Sequence, residues 1–192
     1  MSVIANWQRK FEETRDECNP AYELISLESP LWQELAELPP VSELSETDQK
    51  LIGRPYDDFN IALEDMTDSL YYKGDEPDSS DEKDVADESW NKAWKALTSL
   101  SDKGYSVASM LCGEVCLTLL DDAGDMLPCA NAYFKKGKES PCASAEMKDY
   151  IDARQRRCMN TLSYALSREG ETIRHISKQP KAGKGVEEYQ HE

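Results

Sequence analysis

Apolar residues in this chain recur with a helical period, and that rules out most architectures. The pattern is sharpest from Lys103 to Cys116, K-G-Y-S-V-A-S-M-L-C-G-E-V-C. Gly104 closes one helical run, and Ser106 is placed to cap the next. Val107, Met110, Leu111, Val115 and Leu119 then return on one face at three- and four-residue steps. Ala108 and Gly113 are small where a neighbouring helix must come close. No stretch alternates apolar and polar residues as a half-buried strand does, so the sequence predicts an all-α fold.

The same period runs through most of the chain. Val3, Trp7, Phe11, Thr14 and Cys18 form an amphipathic stripe ended by Asn19-Pro20. Ser29-Pro30 opens a helix carrying Leu31, Trp32, Leu35 and Leu38, which Pro39-Pro40 stops. Ser45-Glu46-Thr47-Asp48 has capping-box form and leads a short helix through Leu51 and Ile52. Over 56–72, Phe59, Leu63, Met66 and Leu70 make one stripe and Asp57, Asp58, Glu64, Asp65 and Asp68 the other, with Gly74 as the stop. Residues 75–88 hold 8 acids and one lysine with almost nothing to bury, which predicts a solvated loop. Trp90, Ala93, Trp94, Leu97 and Leu100 begin the next helix, ending at Gly104. The helix over 106–121 closes near Gly124, and one over 126–136 stops at Gly137. Ser140-Pro141 opens the longest, which carries Met147, Ile151, Arg154, Cys158, Leu162 and Ala165 to a stop near Gly170. The expected organisation is an N-terminal helical segment over 1–55, a helical-pair region over 56–170 and a polar, largely disordered tail over 171–192.

The spacing Gly104-x3-Ala108-x4-Gly113 is similar to the Sel1-like repeat family, a branch of the tetratricopeptide-type helical solenoids. In that family these positions are a turn glycine, a packing alanine and a glycine that admits a neighbouring helix. Tyr71-Tyr72-Lys73-Gly74 resembles the end of a repeat's first helix, and Trp90 to Lys103 resembles a second helix. Lys136-Gly137 echoes Lys103-Gly104 thirty-three residues on. The likeness covers residues 56–166. Cys112 stands where the family has leucine and Cys116 where it has an aromatic. The resemblance implies antiparallel helix pairs stacked as a short solenoid, with the N-terminal helices packed against it. Its implied role is a scaffold or adaptor that binds protein and catalyses nothing.

Charge narrows the partner. The chain has 38 acidic and 22 basic residues, net −16, and the excess is lopsided. Residues 1–90 hold 24 acids and 7 bases, whereas 91–192 hold 14 and 15. Such a surface repels phosphate backbones and anionic lipid and attracts a basic protein, so neither direct nucleic-acid nor membrane binding is expected. Asp57, Asp58, Glu64, Asp65, Asp68, Asp75, Glu76 and Asp78 are the candidate contact residues; Gly104, Ala108 and Gly113 are the packing residues. The N-terminus has no apolar core of signal-peptide length and no run reaches membrane-span length, so a cytoplasmic protein, monomeric or a homodimer, is expected.

Catalysis and cofactors have little to draw on. Cys112 and Cys116 share a helix face, but no second close pair completes a zinc set, and His175 and His191 come late. The six cysteines read as small apolar thiols. Two histidines give nucleophilic catalysis no base, and no Gly-rich phosphate loop is present. Trp90 and Trp94 read as inter-helix packing. Arg154, Arg156 and Arg157 read as local balance for Glu146, Asp149 and Asp152. No catalytic residue, metal ligand or cofactor is assigned. Two functions fit: an adaptor binding a basic partner through an acidic face and helical groove, or an acidic inhibitor, of immunity, antitoxin or phage anti-defence type. The inhibitor would neutralise a basic toxin or nucleic-acid-binding enzyme, in one version by mimicking nucleic acid.

Overall fold

A computed structural model describes residues 2–17, 25–71, 80–118 and 123–178. These residues form eight α-helices and one short 3-10 turn, and they contain no sheet. The helices are α1 (Val3–Glu17), α2 (Leu31–Glu37), α3 (Glu46–Ile52), α4 (Asp58–Tyr71), α5 (Ser80–Asp102), α6 (Ser106–Thr118), α7 (Ala123–Glu139) and α8 (Ala145–Lys178). The chain divides into two compact units, Met1–Cys158 and Met159–Glu192. The second is described only as the helical residues 159–178. None of the described helices is long and apolar enough to cross a membrane. Cys18, Asn19-Pro20, Gly74 and Leu119 lie outside the described residues.

The first unit is built around α6. Every residue from Ser106 to Leu117 is buried, which a helix tolerates only when it is apolar on all sides. Glu114 alone in α6 carries a charge. Neighbours enclose the helix: Ser101 of α5 and Ser109 share a buried hydroxyl hydrogen bond at 2.9 Å, and α4, α7 and α8 close the other sides. The α6–α7 approach depends on Gly113. A Cβ there would lie 3.0 Å from Phe134 Cε2 and Cζ and 3.1 Å from the Ala130 carbonyl oxygen. Ala108 is fully buried.

The α5–α6 turn is a Schellman cap. Gly104 has φ of +93°, Tyr105 N–H donates to Leu100 O at 3.1 Å, and Gly104 N–H donates to Ser101 O at 3.1 Å. The N-terminal helices hang on this turn. Val41 N–H donates to Lys103 O at 2.9 Å, Lys103 Nζ to Ala36 O at 2.5 Å and Tyr105 Oη to Pro39 O at 2.9 Å. Trp7, Phe59 and Tyr105 continue the join as a chain of rings, with centroids 5.2 and 6.0 Å apart. The described residues of 2–55 therefore share one core with the helices that follow.

The capping chemistry matches the sequence at α3, where Ser45 Oγ accepts from Asp48 N–H at 3.1 Å. At α2 the start falls one residue later than expected: Pro30, not Ser29, holds the cap position, and Ser29 Oγ accepts from Leu31 N–H at 3.3 Å from just outside the helix. Elsewhere the structure differs from expectation. Ser106 is the first residue of α6 and its hydroxyl lies 3.5 Å from Cys142 Sγ; Tyr105 holds the cap position, its carbonyl accepting from Ser109 N–H. Ser140 does not start α8. Its hydroxyl donates to Gly104 O, and Ser144 caps the helix by accepting from Met147 N–H at 3.0 Å. Helix α5 begins at Ser80, so residues 80–88 of the expected loop are helical. Gly124 lies within α7 and does not close α6. Helix α7 passes through Gly137, and α8 passes through Gly170 to Lys178, so 171–178 are helix as well. Gly137 is a packing residue, because a Cβ there would meet Ser106 O at 2.9 Å.

Candidate functional site

Helix α4 presents two opposed faces. Phe59, Ala62, Leu63, Met66 and Leu70 are buried, each 3% exposed or less. On the far side Asp58, Ile61, Asp65 and Asp68 follow at steps of three, four and three, one continuous stripe. Ile61 is 43% exposed within that stripe, and Tyr56, just before the helix, is 68% exposed. Tyr56 packs edge-on against Tyr150, with centroids 5.3 Å apart. Burial and the neighbouring Asp65 raise the Asp68 carboxyl above its ordinary value. Asp57 is raised by burial and further by Asp58, while the hydrogen bond from Phe59 N–H pulls the other way. Carboxylates crowded like this favour an incoming cation.

Behind the stripe lies an ionic knot joining α4, α6 and α8. Arg154 grips Glu114 with two parallel bonds, Nε to Oε1 at 2.6 Å and Nη2 to Oε2 at 2.7 Å. Its third nitrogen, Nη1, reaches Tyr150 Oη at 3.2 Å and Glu64 Oε2 at 3.4 Å. Tyr150 Oη in turn donates to Glu64 Oε1 at 2.5 Å. The hydrogen bond to Glu114 holds Arg154 more firmly protonated than usual, against a smaller opposing effect of burial. Burial raises the Glu64 carboxyl, offset by Tyr150 and Arg154. Burial, then the Glu64 bond, raises the Tyr150 phenol. Each member is satisfied by another, so the knot is a positioning device: it fixes Tyr150, and through it the ring of Tyr56 beside Asp57 and Asp58.

The expected contact residues thus have different settings. Asp58 and Asp68 are exposed; Asp65 is half-exposed, 3.9 Å from Arg15 Nη1. Asp57 caps α4, and Glu64 is turned into the knot. Asp75, Glu76 and Asp78 lie outside the described residues. Arg154 does not balance acids on its own helix as expected; it pairs with Glu114 and Glu64, 40 and 90 positions earlier. Of those acids, Asp152 pairs with Lys138 at 2.8 Å. Glu114 and Tyr150 were not singled out by sequence. An isolated acid inside M-L-C-G-E-V-C-L was the signal for Glu114; nothing comparable marks Tyr150.

Trp90 and Trp94 stack along α5 at 5.9 Å, and the pair packs between helices: Trp94 meets Tyr133 of α7 edge-on at 6.3 Å, and Trp90 Nε1 donates to Leu70 O of α4 at 3.4 Å. Cys112, Cys116, Cys129, Cys142 and Cys158 are free thiols, and burial raises the Cys158 thiol to about 11. Among the described residues no group of three or more His, Cys, Asp or Glu side chains is placed to hold a metal ion. A groove of about 730 Å³ runs between α2 and α5, over Pro30, Trp32, Ala36 and Ala96. Glu28, Glu88, Lys92 and Lys95 also line it, so its charges cancel. Comparison with protein-family models, curated proteins and solved structures returns no match to this chain.

Proposed function

We propose that this chain is a non-catalytic protein-binding module that takes a basic partner on the outward face of α4. One observation carries the reading: Asp58, Asp65 and Asp68 share a stripe with the exposed Ile61, beside the exposed, ring-braced Tyr56. Carboxylates steer a cationic partner in and fix its orientation; a braced aromatic and an aliphatic side chain supply the desolvated anchor that sets the lifetime of the complex. The electrically balanced α2–α5 groove offers no comparable attraction, so α4 is assigned the contact. A short Sel1-like stack, with α4–α5 and α6–α7 as successive pairs, is the architecture we attach to this role. Its support is the Gly104 turn, buried Ala108 and the helix approaches at Gly113 and Gly137.

The test separates location from net charge. Binding of an arginine-rich peptide is measured by calorimetry for the full chain, for Asp58→Asn/Asp65→Asn/Asp68→Asn, and for Glu12→Gln/Glu13→Gln/Glu139→Gln. The last variant removes the same charge from exposed sites elsewhere. The α4 variant loses about tenfold in affinity, three exposed pairs at about 0.5 kcal/mol each, and the control changes little. Equal losses in both would leave only non-specific attraction and defeat the assignment.

A further inference from the structure

Across the α6–α7 contact, Cys116 Sγ and Cys129 Sγ face each other at 3.9 Å. The contact is tight on either side: Gly113 admits Phe134, and Ala130, next to Cys129, is fully buried. Cys116 is buried and Cys129 half-buried. A disulfide needs the sulfurs about 2 Å apart, so the remaining closure is about 2 Å, within reach of side-chain rotation. Cys142, by contrast, lies among Ser140 Oγ, Ser106 Oγ and the Gly104 carbonyl.

We propose that Cys116 and Cys129 form a reversible dithiol–disulfide pair, oxidised by a hydroperoxide and reduced by a dithiol, which fastens α6 to α7. Cys129, the more accessible, attacks the peroxide first. Its sulfur bonds to the nearer oxygen, the O–O bond breaks, and the departing oxygen leaves as water (or as an alcohol from an organic peroxide) with the Cys129 proton. Cys129 is then a sulfenic acid. Cys116 attacks that sulfur, the S–S bond forms, the S–O bond breaks, and hydroxide leaves as water with the Cys116 proton. Two thiols and one peroxide thus give one disulfide and two molecules of water. Burial, reinforced by Cys129, pushes the Cys116 thiol up to about 12, which leaves it little thiolate to meet a peroxide directly and so gives the first step to the more accessible Cys129. A dithiol returns the pair to thiols by two exchange steps and is itself oxidised to a disulfide.

The full chain is treated with hydrogen peroxide, alkylated and mapped by mass spectrometry. The expected product has lost two hydrogens, carries a Cys116–Cys129 cross-linked peptide and reverts with dithiothreitol. Cys116→Ser traps the sulfenic acid on Cys129, where dimedone captures it. Amide exchange over 123–133 slows in the oxidised wild type and does not slow in treated Cys129→Ser. Six alkylatable thiols after treatment, or a linkage to any other cysteine, would overturn the pairing. Absence of the dimedone adduct would overturn the order of attack, and a bond that leaves exchange unchanged would overturn the fastening.

Discussion

Replacing Arg154 by methionine keeps the aliphatic stem and removes the guanidinium, so it isolates the charge that meets Glu114. The Glu114 side chain is 6% exposed and cannot recover water once its two bonds are gone; Arg154 is 29% exposed and sits nearer solvent. Breaking such a pair from the exposed side strands a buried carboxylate, at a cost of about 3–5 kcal/mol. For a unit of this size that lowers the thermal midpoint by about 10 °C. The pair's net worth is much smaller, because both charges were desolvated to make it. Glu114→Met/Arg154→Met therefore returns to within about 1–2 kcal/mol of wild type, while Glu64 and Tyr150 keep each other satisfied. Urea unfolding of wild type, both singles and the double closes the cycle, with unchanged m-values as the check on two-state behaviour. A loss below about 1 kcal/mol in Arg154→Met, or a double variant as unstable as that single, would refute the stranded-carboxylate reasoning.

Three further outcomes follow from the geometry. Gly113→Val forces a branched side chain onto Phe134 and the Ala130 carbonyl, already 3.0–3.1 Å from a bare Cβ, and costs at least about 2–3 kcal/mol in urea unfolding. Ser45→Ala removes the α3 cap and lowers stability by about 1 kcal/mol in the same assay. Because burial raises the Glu64 carboxyl above the ordinary 4.5, the folded state holds that proton longer than the unfolded chain does. Its contribution is thus greatest below 4.5 and falls as pH climbs through the folded value, so Glu64→Gln gains stability relative to wild type as pH rises across that range. Denaturation of both proteins over the acidic range checks the sign, and a difference that runs the other way contradicts it.

Local features were legible in the sequence where one residue type has one physical use. The Phe59, Leu63, Met66, Leu70 stripe is buried as its spacing requires, and Gly104 takes the positive φ that a helix-ending glycine provides. Glycine has two uses, however: at Gly137 the sequence suggests a helix stop, whereas the missing side chain serves packing while the helix continues. The charged start of α5 is hidden for a related reason: residues 80–88 show no apolar period and so suggest a loop, yet lysine and glutamate are good helix formers. The ionic knot was beyond reach. Arg154 has Asp152 and Asp149 two and five positions away on its own helix, and only the fold brings it to Glu114 instead.

Amide chemical-shift mapping during titration with an arginine-rich peptide locates the contact directly. Shifts concentrated on Tyr56, Asp58, Ile61, Asp65 and Asp68, fading as salt is added, are the predicted result. Shifts centred on the α2–α5 groove around Trp32 and Ala96, or spread evenly over every exposed acid, would contradict the assignment of binding to α4.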